Sequence, residues 1–161
     1  MTICIIYHSY SGITRGIAEK VQAACGGDLV EVRPRTAYTT LTAYTVGCMR
    51  ARNETPDPIE PASIDVSAYD LIVIGTPVWA WKATPAINGA VAALKGCQGK
   101  RAVLFATCGA QTGDTLPILA KALGAKGVEV VGQISFNRKE IDDTGKLEGL
   151  FSAVKAAEKA S

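Results

Sequence analysis

Five short, mainly aliphatic runs, most of them followed by a stretch whose apolar residues recur every three or four positions, constrain this chain more than any other feature. Ile3-Cys4-Ile5-Ile6-Tyr7 is the first, and runs at 29–32, 71–74, 102–106 and 128–134 follow. A strand that is apolar at every position, rather than at alternate ones, is buried on both faces, which is the condition of a parallel sheet covered by helices. The intervening patterns supply those helices. After Gly12 the positions Ile13, Ile17, Val21 and Ala24 fall on one stripe, closed by Gly26-Gly27. Similar stripes run at about 41–52 (Leu41, Tyr44, Cys48), 84–95 (Ile87, Val91, Leu94), 115–124 (Leu116, Leu119, Leu123) and 146–159 (Leu147, Leu150, Phe151, Val154). The alternation predicts a doubly wound α/β fold formed as one domain over residues 1–161. The stretch 50–67, with Pro56, Pro58 and Pro61, reads as a long irregular excursion within that domain rather than as a linker.

Composition narrows the function classes. The 161 residues are 48% hydrophobic with a net charge of +2, so the chain can bury a core and is not disordered. No apolar run approaches the roughly 18 residues of a membrane span. The N-terminal apolar run lacks a basic stretch before it, so no secretory signal is expected either, and a cytoplasmic protein is. Five cysteines, scattered and without a CxxC pair, and a single histidine argue against a disulfide framework or a metal site. Residues 1–80 carry 6 basic and 8 acidic side chains and residues 81–161 carry 11 and 7, with no basic cluster dense enough for nucleic acid.

In an open parallel sheet a ligand binds beyond the carboxyl ends of the strands where the strand order reverses, so the loops after strands one, three and four are the candidates. The first, residues 8–14, is rich in hydroxyls and runs straight into a helix. Backbone amides at a helix N-terminus have no intrahelical acceptor and face the positive end of the dipole, so Ser9, Tyr10, Ser11, Gly12, Ile13 and Thr14 can wrap a phosphate without lysine or arginine. Ser11 as a plain helix cap is the competing reading. There is neither GxxxxGK[ST] nor GxGxxG, and no acidic residues end strands one and three, which disfavours P-loop, dinucleotide and receiver-type sites. The second loop, Gly75 to Lys82, holds both tryptophans. Trp79 and Trp81 share strand parity, so both are expected on one side with Ala80 opposite, flanking a planar aromatic ligand or covering core. The third, Thr107-Cys108-Gly109 onward, is small and polar, with room for something flat and a helix cap at Asp114. Cys108 is either a reactive thiol or a compact filler, and His8 either a lining residue or a base.

Together these loops resemble the flavodoxin-like family of FMN proteins over nearly the whole chain. Ser9-Tyr10-Ser11-Gly12-Ile13-Thr14 is similar to the family's [ST]-x-[ST]-G-x-T phosphate loop, and YDLIVIGTPVWAWKATPAINGAV, from Tyr69, to its second flavin loop. By this resemblance Thr76, Pro77, Val78, Trp79, Ala80 and Trp81 would lie along the isoalloxazine, and Thr107, Cys108 and Gly109 would border its pyrimidine edge. The resemblance implies a five-stranded parallel sheet of order 2-1-3-4-5 and one tightly bound FMN, in the short-chain form. It also implies electron transfer between a reduced donor and a redox acceptor, either a partner protein or a small molecule. The alternative is an FMN-dependent NAD(P)H reductase of quinones or similar acceptors, so whether the protein is a carrier or an enzyme is left open. No membrane or nucleic-acid partner is expected, and the protein is expected to be a monomer or weak homodimer. Two departures stand out. The chain has an isoelectric point near 8.3, where electron-carrying flavodoxins are strongly acidic, and its second loop has no glycine between Val78 and Lys82. Lys82 is the residue expected to place a positive charge beside the flavin.

Overall fold

Ile3–Tyr7 forms strand β1 with all five side chains buried. Because successive strand residues point to opposite faces, its two sets belong to two cores. Ile3, Ile5 and Tyr7 pack with Ile17 and Val21 of helix α1 (Ile13–Cys25) and with Leu147, Leu150 and Val154 of helix α4 (Thr144–Lys159). Cys4 and Ile6 pack on the other face, with Ile87 and Val91 of helix α2 (Pro85–Ala93) and Leu116, Leu119 and Leu123 of helix α3 (Thr115–Gly124). The remaining main strands are β2 (Asp28–Glu31), β3 (Leu71–Trp79), β4 (Arg101–Thr107) and β5 (Glu129–Phe136). The computed structural model describes residues 2–159.

The five strands pair in parallel in the order 2-1-3-4-5. That is the order the resemblance implies, and it places the reversal between β1 and β3. A two-residue strand, Lys82–Ala83, adds an antiparallel pairing to the end of β3. Strand β3 is therefore longer than the apolar run that announces it: it continues through Gly75, Thr76, Pro77 and Val78 to Trp79, where the sequence reads as loop. In β5 the register shifts between Val130 and Gly132, a bulge that leaves Val131 exposed.

The whole connection from β2 to β3, with the irregular stretch 50–67 as its second half, forms one excursion that is pinned at several points. Arg33–Pro34 pairs with Ile59–Glu60, and Ile64–Asp65 with Leu94–Lys95. The single helix expected near 41–52 is instead three pieces: an α-turn at Thr40–Thr42, a π-helix at Ala43–Gly47 and an α-helix at Cys48–Arg52. π-Helical turns cost hydrogen-bond geometry and concentrate at functional positions, and this one borders the cleft described below. No helix among the described residues is long and apolar enough to cross a membrane.

At Gly75 the core dictates glycine. A Cβ there would lie 2.1 Å from Cζ of Phe105, a fully buried ring on the neighbouring strand. Gly75→Ala is expected to lower unfolding free energy by about 1–3 kcal/mol through overpacking, measured by urea denaturation. A loss below a few tenths of a kcal/mol would show that the Phe105 ring can move aside.

Candidate functional site

The three loops converge at the carboxyl ends of β1, β3 and β4. Between them runs a cleft of about 280 Å³, and each wall follows from local chain chemistry.

The first wall is the turn from β1 into α1. Gly12 takes φ +94° and occupies the N-cap position. A Cβ there would meet nothing within 4 Å, so the backbone conformation rather than lack of space calls for glycine. Ser9 Oγ, not Ser11, accepts the turn's amide protons, from Gly12 N at 3.0 Å and Arg15 N at 3.2 Å. The amides of Ile13 and Thr14, in the first helical turn, have no intrahelical acceptor. Tyr10, Ser11, Ile13 and Thr14 line the cleft. Thr14 is buried and shares a 2.9 Å hydrogen bond with Thr107 Oγ1, which joins this loop to the one after β4.

The second wall is the end of β3. Val78 pairs with Ala83 and Trp79 with Lys82, so Ala80 and Trp81 form a two-residue hairpin turn. Both are left-handed, at φ 50° and 62°, as a type I′ turn requires and as asparagine and glycine usually supply. This turn breaks the strand parity expected of the tryptophans. Trp79 is half-buried among rings, edge-on to His8 at 5.9 Å, Tyr10 at 5.7 Å and Tyr38 at 5.3 Å between centroids. Trp81 is 63% exposed and lies outside the cleft lining, against Gly113, where a Cβ would come within 2.4 Å of the Trp81 Cβ. Pro77, Val78, Trp79 and Ala80 line the cleft, whereas Thr76 is buried beneath it. The Thr76 hydroxyl donates to Pro77 O and accepts from Thr84 N.

The third wall is residues 107–109. Cys108 N donates to Phe136 O at 2.9 Å, tying the loop to the end of β5. Burial and the Glu140 carboxylate push the Cys108 thiol up, with Lys146 opposing, and its Sγ donates to Phe136 O at 3.6 Å. Asp114 sits at the N-cap of α3 without a side-chain capping bond, contrary to the expectation for it. The Thr115 hydroxyl donates instead to Thr112 O, at 2.6 Å.

Of the sequence-derived site residues, the cleft thus gathers Tyr10, Ser11, Ile13, Thr14, Pro77, Val78, Trp79, Ala80, Thr107, Cys108 and Gly109. Ser9, Gly12 and Thr76 support its loops, and Trp81 stands apart. Lys82 is not at the cleft either: its ammonium pairs with Glu54 at 3.6 Å. His8 is 4% exposed, with Nδ1 hydrogen-bonded to Thr84 Oγ1 at 2.9 Å. Burial lowers its pKa to about 4 against the pull of Asp57 and Glu31, so at neutral pH it is an uncharged buried ring packed edge-on against Trp79, outside the cleft lining.

Two groups of lining residues were not legible in the sequence. Ala43, Tyr44 and Cys48 come from the excursion, and Arg138 and Ile141 from the turn after β5. The excursion also holds Trp79 in place, since a Cβ on Gly47 would lie 2.7 Å from its Cζ3. Tyr38, packed on the same ring, donates to Asp57 Oδ2 at 2.6 Å, and Asp57 Oδ1 accepts from Arg50 Nε at 2.7 Å. The length of the excursion was the available signal, because so long a connection inside a compact domain usually serves a site.

The residues present fit FMN. Amides and hydroxyls at the start of α1 suit a phosphate, an aromatic and aliphatic wall suits a flat ring, and a small polar loop can meet a heterocycle's polar edge. Among the described residues no carboxylate lines the cleft to repel a phosphate. Among the described residues no cluster of side chains could hold a metal ion.

Comparison with known proteins agrees. Residues 2–123 match the family model described as Flavodoxin. A proposed flavoprotein from Bacteroides eggerthii is 25% identical, with 98% of each chain covered and a TM-score of 0.76. A Lactobacillus acidophilus flavoprotein solved in complex with FMN is 23% identical, covering 90% of this chain and 99% of that one at a TM-score of 0.70. The two-electron reduced flavodoxin of Megasphaera elsdenii is 20% identical, covering 98% and 99% at 0.63. No curated protein matches the chain in sequence. The matched model spans most of the chain, including the phosphate loop, Trp79 and the loop after β4, and the chain belongs to the flavodoxin family, a family of FMN proteins.

Proposed function

We propose that this protein binds one FMN in the cleft and carries electrons between a reduced donor and a separate redox acceptor. The cofactor supplies the redox chemistry when bound. The chain binds it at the α1 amides and hydroxyls, orients its ring against Trp79, and screens it from water with the Tyr10, Tyr44 and Trp79 rings. The observation that carries the reading is the size of the cleft. Its volume of about 280 Å³ lies at the low end of the roughly 300–1,000 Å³ of small-molecule sites. A volume of that order suits a single flavin as occupant, which supports a carrier over a site shared with a second planar substrate. Tyr44 and Trp81, both more than 60% exposed, add apolar surface near the mouth that suits contact with a partner.

The test is anaerobic addition of NADH or NADPH to the FMN-loaded protein, with a quinone as acceptor. A carrier leaves the yellow flavin band unbleached over minutes and turns over no quinone until a separate reductase is added. Rapid bleaching and sustained quinone reduction by the protein alone would establish the NAD(P)H reductase instead.

A further inference from the structure

The cleft lining contains one charged side chain, and it comes from a part of the chain that the phosphate and ring loops do not involve. Arg138 is exposed, lies two residues beyond β5, and makes no hydrogen bond or ion pair among the described residues. Its backbone is nonetheless fixed. Asn137 N donates to Glu140 Oε1 and Glu140 N to Asn137 O, each at 3.0 Å, and Lys139 N donates to Asn137 Oδ1 at 2.9 Å. The carboxylates of the same turn are engaged elsewhere. Glu140 Oε2 pairs with Lys146 at 2.7 Å, Asp142 with Lys20 at 2.7 Å, and Asp143 Oδ1 accepts from Lys146 N at 3.0 Å. The turn therefore brings Arg138 to the cleft lining while the neighbouring carboxylates pair with other groups.

The polarity of the cleft says which part of FMN this cation meets. The α1 amides, with the hydroxyls of Ser11 and Thr14 beside them, suit the phosphate. The dimethylbenzene half of the ring is apolar and suits the Tyr10, Tyr44 and Trp79 side. Only the pyrimidine half carries N–H and C=O groups, and these suit the small polar loop at Thr107, Cys108 and Gly109. Cys108 is bonded through its amide to Phe136 at the strand end from which Arg138 departs. Oxidised FMN has a neutral ring, whereas uptake of two electrons and one proton leaves one negative charge in the pyrimidine half. We propose that Arg138 is the counter-ion of that reduced, anionic ring, the role the sequence suggested for Lys82.

This inference rests on the reading of the cleft as an FMN site. Its test uses FMN-loaded wild type, Arg138→Gln and Arg138→Lys, titrated spectroelectrochemically at mildly alkaline pH, with the electrode supplying both electrons. Dissociation constants for oxidised FMN and for riboflavin are measured on the same proteins. In Arg138→Gln the reduced form is expected to lose about tenfold in affinity relative to the oxidised form, which corresponds to a midpoint potential lower by about 30 mV for a two-electron couple. Arg138→Lys should recover most of the shift, and the difference should shrink in high salt because the charge is exposed. A potential unchanged in Arg138→Gln overturns the inference. So does a loss of FMN affinity with riboflavin binding unaffected, which would assign Arg138 to the phosphate. Wild-type protein that binds neither flavin removes the FMN reading and this inference together, whereas the other two outcomes leave the FMN site standing.

Discussion

FMN binding should weaken about 10²- to 10⁴-fold when Ser11→Leu and Thr14→Val are combined, while riboflavin binding changes little. Each hydrogen bond to a charged phosphate oxygen is worth about 1.5–3 kcal/mol, and every 1.4 kcal/mol is about a factor of ten in affinity. The double variant removes two such donors at the start of α1. Riboflavin has the same ring without the phosphate, so it reports on the ring site alone. Fluorescence quenching titrations with both flavins read the difference. Because Thr14 also shares its hydroxyl with buried Thr107, Thr14→Ser serves as the control that keeps the donor. Undiminished FMN affinity in the double variant would show that the phosphate lies elsewhere.

Stability should fall as pH drops from about 6.5 to about 4, and His8 should be the cause. It is the chain's only histidine. In the unfolded chain it titrates near its ordinary 6.5, whereas in the fold burial lowers it to about 4, with Asp57 and Glu31 only partly opposing. Between those values the unfolded chain holds a proton that the native state refuses, so unfolding free energy rises with pH there. The contribution is complete above the unfolded value and is lost as pH falls toward the folded one, about 3 kcal/mol in all. Urea melts at pH 7 and pH 4.5 should differ by most of that amount in the wild type and by much less in His8→Gln. The carboxylates whose pKa is lowered, Asp65, Asp70, Glu31 and Glu140, begin to lose their contribution at the acid end of this window, as pH falls toward their ordinary values, and they do so equally in both proteins. An equal pH slope in both proteins would mean that His8 is hydrated in the native state.

Some of the site was legible residue by residue. The hydroxyl-rich turn before Ile13 and the small loop at Thr107 both announce themselves through local composition, and both line the cleft. The tryptophans were not separable by inspection. Their spacing predicts one shared side, but parity holds only while the strand continues, and the left-handed turn at Ala80 and Trp81 ends it. No glycine or asparagine marks that turn. Pairing with Lys82–Ala83 and the fit of Trp81 over Gly113 hold it. The same holds for charge: Lys82 is near the site in sequence yet pairs with Glu54, whereas Arg138, some 30 residues beyond the third loop, lines the cleft.

Local patterning alone determined the five strands, the four flanking helices and the hydroxyl-rich turn into α1, because continuous burial, helical periodicity and helix-start chemistry are properties of neighbours in the chain. Tertiary structure decided which tryptophan lines the cleft, that the connection around Tyr38 and Gly47 braces it, and which cation joins the lining. Those outcomes depend on strand order and on partners tens of residues away, so they emerge only once the sheet has brought the loop ends together.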